Sequence, residues 1–173
     1  MNKFIRGSEW RKWDLHVHTP ASIVQHYGED NEATWEKYIQ DLEHLPESIK
    51  VLGINDYLFI DGYKKVKEYK EKGRLKNIDL ILPVIEFRIK MFAGVQFGNL
   101  KRINLHVIFS ENISADTIQN QFLNAMTSKY KLTKNIEWSG VINKQSLIDL
   151  GNKIIDSAPD GEKEQYNSPL IEG

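Results

Sequence analysis

The 173-residue chain has no cysteine. That excludes disulfides and thiolate metal ligands, and it suits a reducing compartment. Any metal must be held by imidazole and carboxylate groups, and histidine is itself scarce, at His16, His18, His26, His44 and His106. Charge of one sign is lacking too: the net charge is −1, so no global basic field points to nucleic acid, although a local patch stays open. No run approaches the roughly 18 apolar residues of a membrane span, and the opening "MNKFIRGSEW" lacks the apolar core of a secretory signal. The expectation is a cytoplasmic protein that does not engage membranes. What is present, 40% hydrophobic and 27% charged residues, is the make-up of an ordinary globular domain able to bury a substantial core.

The stretch "EWRKWDLHVHTPAS", Glu9 to Ser22, places Asp14, His16 and His18 at every second position. On a β-strand these three share one face, with Trp13, Leu15 and Val17 on the other. The turn sequence Thr19-Pro20-Ala21-Ser22 follows at once, which puts both imidazoles at the carboxyl end of the strand, where α/β folds keep their chemistry. A half-solvated strand with two incidental histidines is the plainer alternative.

Further along, the three-and-four spacing of Trp35, Tyr38, Ile39, Leu42 and Leu45 predicts an amphipathic helix over Thr34–Leu45. Lys50–Asp56 ("KVLGIND") reads as a buried strand closing on a carboxylate. Asp61–Gly73 reads as a helix with Asp61 as cap and Gly73 as stop. Asp79–Ile89 is a third strand, in which Pro83 suggests a bulge or an edge position, and Arg102–Ser110 a fourth. The Gly-containing stretch between them, "KMFAGVQFGNLK", predicts a hairpin-like excursion. Helices follow over Ser114–Met126 and Lys144–Ser157. Strands alternating with helices argue for a largely parallel α/β sheet or barrel. The domain is expected to span residues 1–157, with 158–173 a polar tail or the start of a linker.

Four strand ends carry polar groups among apolar neighbours: His16 and His18, Asp56 in "LGIND", Glu86 in "LPVIEF" and His106 in "INLHVIF". Such groups are costly to bury unpartnered. Each has a structural alternative, since Glu86 can pair with Arg88 or Lys90, Asp56 can cap a turn, and His106 can be a hydrogen-bonded core residue. Parallel strands would bring these ends together, and a divalent metal is the natural shared partner.

The series "DLHVHTPAS", "GIND…DG", "PVIEFRI" and "NLHVIFS" resembles the PHP (polymerase and histidinol phosphatase) domain over about Trp10 to Ser110. The phrases "KWDLHVHTPAS" and "RINLHVIFS" and the Phe59-Ile60-Asp61-Gly62 linkage look especially like the domain that opens TrlF-type PHP–ATPase proteins, which are associated with defence-like operons. The resemblance implies a distorted β/α barrel with more than one metal ion. Since a complete barrel takes about 200 to 250 residues, the barrel is expected to be partial or truncated in this chain. It implies His16, His18, Glu86 and His106 as metal ligands, a donor set that suits manganese, zinc or iron. Asp56 and Tyr57 are read as catalytic-site residues, the phenol as a hydrogen-bonding partner of a metal-bound water or a phosphate oxygen, and Arg88 and Arg102, with Lys90 and Lys101, as phosphate contacts, with a solvated charged loop as the plainer alternative. Tyr57 stands where the family carries histidine, and Ile23 and Val24 where it carries a further ligand, with His26 a late substitute; one metal site is thus expected to be lost or rebuilt. The family's later motifs are not recognisable before Gly173.

The expected activity is metal-dependent phosphoester hydrolysis, with nucleic acid as the partner and an ATPase region in the same or another protein. Asp56 would orient a ligand histidine or accept a proton. The alternatives are a catalytically degenerate PHP scaffold or nucleic-acid platform, and a small-molecule phosphatase.

Overall fold

The computed structural model describes residues 10–94, 100–126, 130–133, 136–138 and 140–163. Its centre is a curled four-stranded sheet in the order β1-β2-β3-β4. The strands are β1 (Lys12–Val17), β2 (Ile49–Asn55), β3 (Leu80–Ala93) and β4 (Lys101–Ile108), with helices α1 (Glu32–Glu43) and α2 (Asp61–Glu71) in the crossovers. β1, β2 and β3 run parallel, and β4 returns antiparallel along β3. The sheet is therefore mixed and open, compatible with part of a barrel.

The helices form because each has one apolar stripe to bury. Trp35, Ile39 and Leu42 of α1 and Tyr63 and Val66 of α2 meet Leu52, Ile54, Ile81 and Ile85 of the sheet in one core. Each such large side chain taken out of water is worth about 1.5–3 kcal/mol. α1 starts earlier than its apolar spacing suggests because the Asn31 side chain accepts from the Thr34 amide, supplying the missing first-turn partner. In α2, Asp61 is the first helical residue and not the cap; Ile60 holds the cap position and makes no side-chain bond there. Gly73 does end α2, at φ 87°, the left-handed conformation that glycine adopts without strain.

Pro83 lies inside a central strand in unbroken register with β2, contrary to the bulge-or-edge expectation. Its carbonyl accepts from the Phe109 amide. A strand residue's N and O point the same way, so the missing N–H faces Phe109 just past the end of β4; only the reciprocal bond to the Phe109 carbonyl is forgone, and the ladder to β2 is spared. β3 runs past its expected end to Ala93 and pairs antiparallel with β4, which takes in residues 90–93 and 101 of the Gly-containing excursion; residues 95–99 of that excursion lie outside the described residues.

The helix expected over Ser114–Met126 is a single α-turn, α3 (Ala115–Thr117), capped by Ser114 and continued as a π-helical segment over Ile118–Leu123. A small antiparallel pair, β5 (Tyr130–Thr133) and β6 (Ile136–Trp138), precedes α4 (Lys144–Ser157) and was not anticipated. A short helix, α5 (Asp160–Lys163), falls within the stretch read as a polar tail; residues 164–173 lie outside the described residues. Among the described residues no helix is long and apolar enough to cross a membrane.

Candidate metal centre

Strand parity decides which side chains meet. Leu52 and Ile54 of β2, with Ile81 and Ile85 of β3, point to the helices, so Asn55 and Glu86 point to the opposite face. Glu86 pairs with His106 across the hairpin, and Arg88 pairs with Asn104, which places all four on that same face.

β1 departs from the alternation its sequence suggests. Asp14 is level with Leu52 and Val17 with Ile54, so β1 has one residue too many over this span and bulges. Asp14 and Val17 consequently fall on the helix side, and Asp14 does not share a face with His16. The Asp14 carboxylate instead accepts from the His16 amide at 3.2 Å, partnering an N–H within the irregular span. Nor is Trp13 a buried anchor, being 58% exposed.

His16, Glu86 and His106 converge. One ligand atom from each lies within 4.8 Å of the others, so the three could hold a metal ion. His16 Nε2 is 3.2 Å and His106 Nε2 3.6 Å from the same oxygen, Glu86 Oε2. Two imidazole nitrogens and a carboxylate oxygen form a set suited to zinc, manganese or iron. His18 stands beside this trio, with its Nε2 3.2 Å from that of His16 and its ring 4.9 Å from Tyr57. His26 is exposed and does not join the cluster. His44 ends α1, where its Nδ1 lies 2.6 Å from the Gln40 carbonyl.

Glu86 is only 3% exposed, and a buried carboxylate needs donors. Asn55 Nδ2 donates to Oε2 at 2.8 Å, and Asn104 Nδ2 donates to Oε1. The two carboxamides fix the plane of the carboxylate and leave Oε2 turned toward the imidazoles. Neither asparagine was anticipated. For Asn104 the signal was available, since it lies two residues before His106 on one strand and so on the same face; for Asn55 it was masked by the neighbouring Asp56.

Asp56 lies outside the trio. It is 1% exposed, and its two oxygens accept from the Thr19 amide at 2.8 Å and the Thr19 hydroxyl at 2.7 Å. It thus pins the backbone immediately after His18. Burial pushes its carboxyl up to about 6, against the lowering effect of the two Thr19 bonds. Gly62, in the first turn of α2, sits so close that a Cβ there would come within 1.8 Å of Asp56 Oδ2 and 2.3 Å of Thr19 Oγ1.

Tyr57 adopts φ 58°, a left-handed conformation rare for a bulky residue. Its carbonyl accepts from the Glu86 amide at 2.9 Å and its amide donates to Asn55 Oδ1 at 3.1 Å. These bonds hold the strained residue in place and tie it to the carboxylate clamp. Strain of this kind, costing about 1–3 kcal/mol, persists where the surroundings over-determine the backbone.

The chain matches no protein-family model, no curated protein and no solved structure. The chemistry of the centre therefore rests on its own geometry.

Proposed function

We propose that the chain is a metal-dependent phosphoesterase, with a divalent manganese, zinc or iron ion held by His16, Glu86 and His106, acting on the backbone of a nucleic acid. The observation that supports this best is the buried Glu86 carboxylate, oriented by two amides so that one oxygen meets two imidazole nitrogens. An ion seated there supplies an ionisable water near neutral pH and charge stabilisation for a phosphoryl group.

The chain's own residues divide the remaining work. Asn55 and Asn104 preset the carboxylate, so little reorganisation accompanies loading. Asp56, through Thr19, fixes the turn that presents His18 next to His16. Arg88 and Arg102 lie on the trio's face of the hairpin, where phosphate oxygens would meet them. His16 is half-exposed, at 47% of its side chain, which leaves the centre open to a large substrate.

Hydrolysis of a small aryl phosphodiester, an aryl phosphomonoester and a labelled oligonucleotide with added manganese tests the reading. Cleavage of the diester and the oligonucleotide, lost in Glu86→Gln, is the expected result. Cleavage of the monoester alone would indicate a small-molecule phosphatase. Tyr57, at the position where the resemblance has an imidazole, favours the second reading, a non-catalytic PHP-like platform; metal binding without hydrolysis of any of the three would establish it.

A further inference from the structure

The β3–β4 hairpin continues well past the trio, and its composition is unlike that of the rest of the chain. Residues 87–110 contain no Asp or Glu, in a chain with 24 of them, yet carry Arg88, Lys90, Lys101 and Arg102. A run of that length without acid is not needed for folding, because most of this end of the hairpin is exposed and acidic side chains would fit there as readily as basic ones.

Register sorts these groups. Arg102, Asn104 and His106 alternate along β4 and so share the face of the metal centre. Arg88 pairs with Asn104 and Phe92 with Arg102 across the hairpin, on either side of a register shift in β3. The Arg102 guanidinium carbon lies 5.8 Å from the centre of the Phe92 ring, and that ring is 54% exposed. From His106 to Arg102 is four residues of strand, about 14 Å. One face therefore carries, in order, the carboxylate–imidazole trio, an arginine, and a phenyl ring with a second arginine beside it.

We infer that this face is a binding track for single-stranded nucleic acid leading to the metal centre. The occupant follows from the chemistry. The acid-free cationic face complements a phosphate backbone, and a flat exposed ring beside a guanidinium is a stacking platform that only an unpaired base can use. Base-paired duplex hides those π-faces and would find only the cations. The inference rests on the phosphoesterase reading for what happens at the near end of the track, but binding to the track requires no hydrolysis.

The test is fluorescence anisotropy of a labelled oligothymidylate about twelve nucleotides long, within the usual reach of such sites, on the full chain in EDTA so that no cleavage occurs. The expected result is binding that weakens about tenfold in Phe92→Ala. In Arg102→Gln the dependence of log K on log salt should fall by about 0.7, one phosphate contact on a single strand. Duplex of the same length should bind at least about tenfold more weakly than the single strand. Thermal melting of both exposed-site variants at the wild-type temperature checks that the hairpin is intact. Equal affinity of wild type and both variants, preference for duplex, or no binding would overturn the track. Because the readout is binding without metal, these results stand apart from the hydrolysis assays, whose failure on the wild type would remove the phosphoesterase reading alone.

Discussion

At the scale of single residues, the arrangement concentrates its demands on Glu86. Removing its charge in Glu86→Gln should lower metal affinity by at least about a hundredfold, measured by isothermal titration. Asn104→Leu keeps the ligand but releases one of its oxygens, and a loss of about 10- to 100-fold in affinity is expected, as for outer partners of metal ligands elsewhere. Asp56 answers to a different measurement. Its carboxyl is raised from 3.8 to about 6 in the folded protein, so the folded state holds this proton more tightly than the unfolded chain does. Its contribution is fully present below about pH 3.8 and is lost as pH rises through about 6, an effect of about 3 kcal/mol. Asp56→Asn should flatten that part of the stability profile, read as melting temperature between about pH 4 and 7. A variant profile parallel to the wild type would show that another group carries the dependence.

At the scale of elements, the seat of α2 on β2 is the most sensitive joint. Gly62→Ala would drive a methyl group into Asp56 and Thr19, which are both buried and bonded to each other. A loss of about 1–3 kcal/mol in denaturant unfolding is expected, with weaker metal binding as the His18–Thr19 turn shifts. The elements also show how far the sequence could be read. Its apolar spacing located α1, α2 and the four main strands, because those patterns record burial directly. The convergence of His16, Glu86 and His106 was expected from the ends of parallel strands, whereas Glu86 lies in the middle of β3 and His106 meets it through the antiparallel register of β4. Three features around the centre were not legible. The β1 bulge reverses the face of Asp14, and a period-two reading has no term for an extra residue. Pro83 looked like an edge because the register that turns its missing N–H away from β2 and toward the end of β4 is not written in β3 alone. For the clamp of Asn55 and Asn104, the spacing of Asn104 to His106 shows their shared face, but the meeting of both amides at Glu86 needs cross-strand register, which no local pattern contains.

At the scale of the whole molecule, an open sheet presents at one place a cluster of side chains that could hold a metal ion, and a long basic hairpin running away from it. The two parts make sense together if a polyanion lies along the hairpin and meets an ion at its base. The claim on which this depends is that the trio binds a divalent ion. The most direct test is calorimetric titration of the metal-free chain with manganese and with zinc, beside the His16→Ala/His106→Ala double variant, with folding of both confirmed by circular dichroism. The account predicts saturable binding in the wild type, of at least one ion per chain, that disappears in the double variant. No binding by the folded wild type, or binding unchanged in the variant, would contradict it.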